Sequence, residues 1–206
     1  MNITIPSKLI QLTGNMYLSR YPMWMQYKPH HYHVHGDKIQ KIIHLLKPGD
    51  ILLRRYNGYL NTVLTPGFWG HAALYLGDGE LVHSISVGVT KETILQFCRC
   101  DAFVALRFKN PSTSIDSTLK RANEIIGKPY DFEFVWRDDK FCCTEVINTC
   151  YPNNFDKYFK EVIRGFSIFP FKILRSQALL PDAIYNHPEL IKIVESKNKK
   201  MQIFKE

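Results

Sequence analysis

The chain has 206 residues, 45% of them hydrophobic and 13% aromatic, and a formal net charge of +8 at pH 7 with a pI near 9.2. This length and composition favour one domain with a hydrophobic core and exclude an intrinsically disordered chain. The basic charge favours contact with anionic partners such as phospholipid, nucleic acid or acidic wall polymers, and does not choose among them.

The N-terminal region interleaves aromatic side chains with His30, His31, His33 and His35. A histidine-rich tract can bind metal, but no carboxylate or cysteine stands at ligand spacing here, so we predict no metal site and no cofactor. We predict instead that residues 1–36 are an extension that covers the rest of the protein. A main domain over 37–190 and a basic tail over 191–206 complete the predicted division of the chain.

The next two predicted elements are a helix and a buried strand. Between Lys38 and Leu46 the apolar residues recur at the spacing of an amphipathic helix, and Pro48-Gly49 ends that pattern. The run from Asp50 to Arg54 is apolar at its centre and predicts a strand.

A β-hairpin with a histidine near each end is the clearest feature of the sequence. His71 opens an apolar run, Gly77-Asp78-Gly79 is a tight-turn signal, and His83 closes the return strand. A histidine at the mouth of a buried strand can act as a general base.

The later elements are a strand and two helices. Phe103 to Phe108 predicts a strand, and Ile115 to Ile126 predicts a helix with Ser114 as N-cap and Gly127 as C-cap. Pro188 to Val194 predicts a short helix, and the chain after Lys197 is expected to be loose.

A second helical stripe carries the candidate nucleophile. Cys143, Val146, Ile147 and Cys150 fall at i, i+3, i+4 and i+7, which places Cys143 in the first turn of a helix. Unpaired N–H groups at a helix N-terminus favour a thiolate, so we expect the pKa of Cys143 to be lowered. In the mechanism this suggests, Cys143 attacks a carbonyl, His71 is the base and His83 orients it. The Cys143 N–H and the Tyr130 hydroxyl would bind the oxyanion.

Several other interpretations of these residues remain open. Cys143 on an apolar stripe is compatible with an inert core thiol, Cys142 is a rival nucleophile, and Tyr130 is compatible with simple packing. Zinc bound by Cys98, Cys100, Cys142 and Cys143 matches no common structural-zinc spacing.

The expected location is cytoplasmic. No apolar run approaches the roughly 20 residues of a membrane-spanning helix, and the first residues lack the apolar core and cleavage site of a signal peptide. The five cysteines are an odd number that includes an adjacent pair, which is a poor disulfide framework and indicates a reduced protein.

Four segments together resemble the circularly permuted NlpC-type papain-like cysteine hydrolases, in particular their YiiX-like branch, with the lecithin retinol acyltransferases as distant relatives. The segments are Lys47-Pro48-Gly49-Asp50-Ile51-Leu52-Leu53, Trp69-Gly70-His71-Ala72-Ala73-Leu74-Tyr75-Leu76-Gly77, Gly127-Lys128-Pro129-Tyr130-Asp131-Phe132, and Phe141-Cys142-Cys143-Thr144-Glu145-Val146-Ile147. The resemblance implies an α+β fold, a small antiparallel sheet or half-barrel with the nucleophile helix packed on it.

The resemblance also implies roles for particular residues. It makes Cys143 the nucleophile and His71 its base, and it places the third polar group on the return strand, where this chain has His83. Tyr130 matches a tyrosine near the family's site. We assign Tyr130 and Trp69 to oxyanion or substrate binding.

These inferences predict a cysteine peptidase or amidase that cleaves an amide bond through a thioester. The substrate would be a peptide or amide, including cell-wall-type peptides. One alternative is a thiol acyltransferase or lipid amidase that acts on an acyl lipid at an anionic membrane surface. Another is a binding module without catalytic activity. No specific nucleic-acid partner is expected, because the basic residues are scattered and form no recognition motif.

Overall fold

The computed structural model describes residues 2–3, 16–18, 25–27, 33–34, 36–57, 67–132, 139–167, 172–197 and 200–204. Most of the covering extension predicted for residues 1–36, including three of its four histidines, lies outside these described residues.

The described chain is α+β. Its strands are β1 (Asn2–Ile3), β2 (Met16–Leu18), β3 (Met25–Tyr27), β4 (Ile51–Arg55), β5 (His71–Gly77), β6 (Glu80–Ile85), β7 (Gly88–Thr93), β8 (Ala102–Phe108), β9 (Phe159–Ser167), β10 (Lys172–Leu179), β11 (Leu190–Lys197) and β12 (Lys200–Ile203). Its α-helices are α1 (Gly36–Leu45), α2 (Ile94–Phe97), α3 (Ile115–Glu124), α4 (Cys143–Cys150) and α5 (Pro181–Tyr185).

Seven of these strands form the central sheet, in the order β12-β11-β8-β4-β5-β6-β7. Every strand pair in it is antiparallel. Strands β1, β9 and β10 form a second sheet, and β2 pairs with β3. The architecture confirms the predicted α+β fold built on an antiparallel sheet.

Each face of the central sheet buries its own hydrophobic cluster. Side chains alternate between the two faces along a strand, so Leu53 packs on the face that carries α4, and Leu52 packs on the face that carries α1 and α2. We call these the α4 face and the α2 face. The hydrophobic stripe of α4 is buried against β5 and β6, which carries Cys143 to the sheet.

The predicted hairpin is confirmed as strands β5 and β6. Its turn places Gly77, Asp78 and Gly79 at positive φ angles of 107°, 50° and 79°. Glycine reaches such angles without steric cost, and aspartate tolerates them better than most residues. The local sequence therefore sets the register that brings His71 and His83 onto neighbouring strands.

Asp50 anchors the turn that leads into β4. Its buried carboxylate accepts hydrogen bonds from Arg107 Nε at 2.7 Å and Arg107 Nη2 at 2.9 Å, and from the Lys47 N–H at 2.8 Å. The Tyr151 hydroxyl donates to the Gly49 carbonyl at 2.6 Å. Two-point pairing of this kind fixes geometry as well as charge, so the acidic residue of the Gly49-Asp50 pair is structural.

The C-terminal segment differs from its prediction. Residues predicted as a short helix over Pro188–Val194 belong instead to β11, which pairs with β8. A register shift between Lys192 and Val194 interrupts the two-residue period of this strand. As a result Leu190, Ile193 and Val194 are all buried at i, i+3 and i+4, a spacing that imitates a helix.

The expectation of a loose end after Lys197 is also wrong for residues 200–203. These residues pair with β11 as an edge strand of the central sheet. The basic tail predicted over 191–206 therefore contributes two strands to the sheet over 191–197 and 200–203.

Candidate active site

Cys143 is the first residue of α4. The Cys142 N–H donates to Glu145 Oε2 at 2.7 Å, a capping interaction that starts the helix at this point. All five cysteines lie in the described part of the chain, and Cys143 is partly exposed while the other four are buried. Cys142, the rival nucleophile, is buried with its sulfur 3.3 Å from the Thr144 hydroxyl. The structure thus presents Cys143, and not Cys142, at the helix N-terminus.

Backbone N–H groups surround the Cys143 sulfur. The backbone N–H groups of Ala72 and Thr144 favour the thiolate and so lower the pKa of this thiol. Burial is the larger influence and raises the pKa of Cys143 above its ordinary value. The predicted lowering of this pKa is therefore wrong, because desolvation outweighs the N–H groups of the helix and the strand. At rest the thiol is protonated, so attack on a carbonyl requires a base.

His71 and His83 lie side by side on the α2 face. His71 Nε2 is 3.1 Å from His83 Nδ1, and the two rings meet edge to face with centroids 5.1 Å apart. Phe97 packs against both rings. His71 is partly exposed at the start of β5, whereas His83 is only 1% exposed. The hairpin thus brings the two predicted histidines together.

Both histidines are neutral at neutral pH. Burial holds the pKa of His71 well below its usual value, and the electrostatic influence of Arg54 and of His83 lowers it further. Burial and Arg54 lower the pKa of His83 to about 3. A neutral imidazole has a free lone pair, with which His71 can accept a proton.

The thiol approaches the sheet beside His71 without bonding to its ring. Cys143 contacts the Ala72 N–H, the residue after His71, and packs on the α4 face. The His71 ring lies on the α2 face near Phe97. Among the residues that the structure describes, no hydrogen bond joins this ring to the Cys143 sulfur. In this structure the Cys143 sulfur and the His71 ring therefore lie on opposite faces of the sheet.

Tyr130 lies near the thiol. Burial, followed by the charge that Cys143 would carry, raises the pKa of Tyr130 well above its usual value, so the hydroxyl remains protonated. The Tyr130 ring packs on Phe132 with centroids 4.7 Å apart. The protonated hydroxyl is therefore a hydrogen-bond donor close to the thiol.

Trp69 does not fit its predicted role in substrate binding. It is 1% exposed and packs in the core between Phe68 and Tyr185. Its backbone contributes instead, because the N–H groups of Phe68 and Trp69 donate to Asp182 at 3.0 and 2.8 Å. Asp182, on α5, thereby holds the loop that leads into His71.

Sequence reasoning missed three residues around the site. Arg54 faces His71 across the β4–β5 pair, and Glu92 on β7 forms an ion pair with Arg54 at 3.1 Å. Asp182 is the third. The acidic and basic residues were visible in the sequence, but long-range strand pairing brings them to the site, and no local pattern indicates that pairing.

Comparison with known proteins identifies the family. Residues 45–194 match the model of the permuted papain-like amidase enzymes, the YaeF/YiiX or C92 family. The chain belongs to this family. The match covers the hairpin and the nucleophile helix, and it confirms the YiiX-like resemblance and the assignment to the papain-like hydrolases.

Two individual proteins are similar to this family member. A gamma-DL-glutamyl hydrolase from Bacillus subtilis (strain 168) is 33% identical over 106 residues, which are 50% of this chain and 24% of that protein. The chain thus spans about a quarter of that relative's length. The crystal structure of the metalloprotein YiiX from Escherichia coli O157:H7 aligns with a TM-score of 0.57 and 18% identity, over 74% of this chain and 99% of the other. That likeness supports the fold.

The zinc interpretation is not supported by the positions of the cysteines. Cys98 and Cys100 are buried on the α2 face, whereas Cys143 packs on the α4 face. Within the described ranges, no group of three histidine, cysteine or acidic side chains is arranged to hold a metal ion. None of the described helices is long and apolar enough to cross a membrane.

The buried histidines make stability of this amidase-family chain depend on pH. Unfolded His83 titrates near 6.5 and folded His83 near 3, so between these values the unfolded state binds more protons. We expect the free energy of unfolding to fall as pH drops through this window, by about 1 kcal/mol per pH unit from His83. Urea unfolding between pH 7 and pH 4 measures this slope. It should become shallower in His83→Gln and stay unchanged in the exposed control His44→Gln. Equal slopes in all three proteins would contradict the prediction.

Proposed function

We propose that this chain is a cysteine amidase with Cys143 as nucleophile, His71 as general base and His83 as the residue that orients His71. The observation that carries the proposal is the meeting of α4 and the hairpin. A partly exposed thiol at a helix N-terminus lies near the backbone of Ala72, the residue that follows His71 in β5, and the ring nitrogens of His71 and His83 are 3.1 Å apart.

Acylation would run as follows from the protonated thiol. His71 takes the Cys143 proton as the sulfur attacks the amide carbonyl carbon, and a carbon–sulfur bond forms. The carbonyl oxygen becomes an oxyanion, which N–H groups at the start of α4 and the Tyr130 hydroxyl stabilise. The carbon–nitrogen bond then breaks, and the imidazolium of His71 returns its proton to the leaving amine.

Deacylation would use the same residues with water as the nucleophile. His71 takes a proton from water as it attacks the thioester carbonyl. The carbon–sulfur bond breaks, the carboxylic acid is released, and Cys143 recovers its proton from His71. Throughout the cycle His83 keeps the imidazole of His71 in one orientation.

A γ-glutamyl amide is the first substrate to test. The name of the Bacillus relative states that it hydrolyses gamma-DL-glutamyl substrates, and the net charge of +8 complements an acidic peptide. Cell-wall-type peptides remain within this proposal as peptides with amide linkages. The family and relative names describe amidases and hydrolases, and give no support to the acyltransferase, lipid-amidase or membrane-surface alternatives.

The test compares three substrates with the full chain. They are a peptide with a γ-glutamyl linkage, its α-linked isomer and an N-acyl amide lipid, with amine release followed over time. We expect hydrolysis of the γ-linked peptide and an acyl adduct on Cys143, detected by mass spectrometry after acid quenching. Cleavage of the α-linked isomer alone would contradict the proposed γ-glutamyl substrate. Acyl transfer from the lipid alone would contradict the amidase proposal. Turnover without any adduct on Cys143 would argue against the thioester mechanism.

A further inference from the structure

A partly buried ion pair lies beside the two histidines. Arg54 Nη1 is 3.1 Å from Glu92 Oε2, and the same oxygen is 3.8 Å from His83 Nδ1. The Arg54 side chain is 9% exposed and its guanidinium lies over the Phe97 ring at 4.3 Å. The side chains of Arg54, Glu92, His71 and His83 all lie on the α2 face. Arg54 pairs with His71 across β4–β5. Leu81 lies two residues before His83, and so on the same face, and it pairs with Glu92 across β6–β7.

The direction of the hydrogen bond between the histidines decides whether His71 is a base. His71 uses Nε2 toward His83, so Nδ1 is the nitrogen left to act as the base in the proposed mechanism. If His71 donates from Nε2, its Nδ1 carries a lone pair and can accept the Cys143 proton. If His83 donates from Nδ1, the His71 proton resides on Nδ1 and that nitrogen cannot act as a base.

Two groups lie near His83 Nδ1, namely His71 Nε2 and the Glu92 carboxylate. Its other nitrogen, Nε2, is buried and has no hydrogen-bond partner among the described residues. A free carboxylate near Nδ1 would draw a proton onto that nitrogen and reverse the bond. At 3.8 Å the Glu92 oxygen is too distant to accept a hydrogen bond from it, and the same oxygen forms the ion pair with Arg54.

We propose that Arg54 is a positioning residue that holds the Glu92 carboxylate away from His83, so that His71 donates and His83 accepts in the bond between them. The inference rests on the proposed role of His71 as base. The charge of Arg54 also lowers the pKa of both histidines, which agrees with His83 as a neutral acceptor.

The other titratable groups facing the pair do not carry charge at neutral pH. Cys98 follows α2, and burial raises its pKa to about 12. Burial also raises the pKa of Cys100 well above its ordinary value. Cys143, on the other face of the sheet, is protonated at rest. The balance at His83 is therefore set by Arg54 and Glu92.

The experiment combines single and double variants with ¹⁵N NMR of the histidine rings in the full chain. In Arg54→Gln we expect a proton on His83 Nδ1, a rise in its titration pH, and a loss of about 100-fold in kcat/KM, on the scale of losing a general base. Adding Glu92→Gln to that variant should restore the wild-type tautomer and recover at least about tenfold of the lost activity. Glu92→Gln alone should keep the wild-type tautomer and move histidine titration to lower pH.

A surface pair gives the matched control. Lys91 and Glu80 form an exposed ion pair at 2.9 Å on the same two strands that carry His83 and Glu92. The double variant Lys91→Gln/Glu80→Gln should leave the histidine spectra and hydrolysis unchanged. Thermal melting of each variant reports whether it folds. If Arg54→Gln does not fold, the spectrum of the unchanged protein still tests the inference, because a proton on His83 Nδ1 there would overturn it.

The outcomes separate this inference from the proposed function. If adding Glu92→Gln to Arg54→Gln lowers the hydrolytic activity further, Arg54 has a merely structural role and the inference is overturned. An unchanged histidine tautomer in Arg54→Gln would overturn it too. A reversed tautomer in Glu92→Gln alone would overturn it as well. The NMR result holds whether or not a substrate is cleaved, whereas the proposed function fails if Cys143→Ala retains hydrolysis.

Discussion

Replacing Cys143 with alanine is expected to abolish amide hydrolysis, with a loss of roughly 10⁴-fold or more in kcat/KM. The thiol is the proposed nucleophile, and no acyl intermediate can form without it. Its position at the first residue of α4 makes it the cysteine among the five that is partly exposed. The measurement is amine release from the γ-glutamyl peptide, with folding checked by thermal melting. Serine at this position should be almost as inactive, because a hydroxyl is a far weaker nucleophile at neutral pH.

Cys142→Ser is the matched control for this prediction. It alters the neighbouring thiol but keeps a polar atom near Thr144, so hydrolysis should stay close to that of the unchanged protein. Iodoacetamide gives a second readout that needs no substrate. Since burial raises the pKa of Cys143, its labelling rate should still rise as pH passes through about 8.5, the value of a free thiol. Loss of hydrolysis in Cys142→Ser with full activity in Cys143→Ala would show that Cys142, and not Cys143, is the nucleophile.

Replacing His71 with glutamine is expected to lower kcat/KM by about 10²–10⁴-fold, the usual contribution of a general base. In the unchanged protein the acidic limb of the pH profile should lie well below pH 6.5, since burial, Arg54 and His83 lower the pKa of His71. The neutral ring is the active form, so activity is lost only as pH falls through that lowered value. A pH series of kcat/KM measures both the loss and the position of the limb.

His44→Gln provides the control for His71, because His44 is exposed on α1 and away from the sheet. That variant should keep both the rate and the acidic limb. An acidic limb centred at or above pH 6.5 in the unchanged protein would contradict the proposed neutral base. So would a His71→Gln protein that keeps full activity together with the same limb.

Local signals in the sequence were enough to predict the two elements that carry the candidate site. Gly77-Asp78-Gly79 requires backbone angles that few other residues accept, so the hairpin between His71 and His83 follows from the turn. The apolar stripe that starts at Cys143 likewise defines one face of a helix. Each of these signals lies within about a dozen residues and does not depend on the rest of the chain.

Errors in the sequence predictions arose where distant contacts dominate. The bulge in β11 gave Leu190, Ile193 and Val194 the spacing of a helix, and pairing with β8 made them a strand. Trp69 stands beside His71 in the chain, yet packing against Tyr185 removes it from the surface. The pKa of Cys143 depends on how deeply α4 is buried, which local sequence does not reveal.

The family, the turn and the helix start could be predicted from the sequence, because they depend on short motifs and on the backbone preferences of nearby residues. The arrangement of the site follows from the long-range contacts of the folded chain. Strand pairing placed Arg54 opposite His71, brought Glu92 within 3.8 Å of His83, and pinned the loop before His71 to Asp182. These contacts join residues far apart in the chain, so their geometry and the burial that shifts each pKa exist only once the sheet has formed.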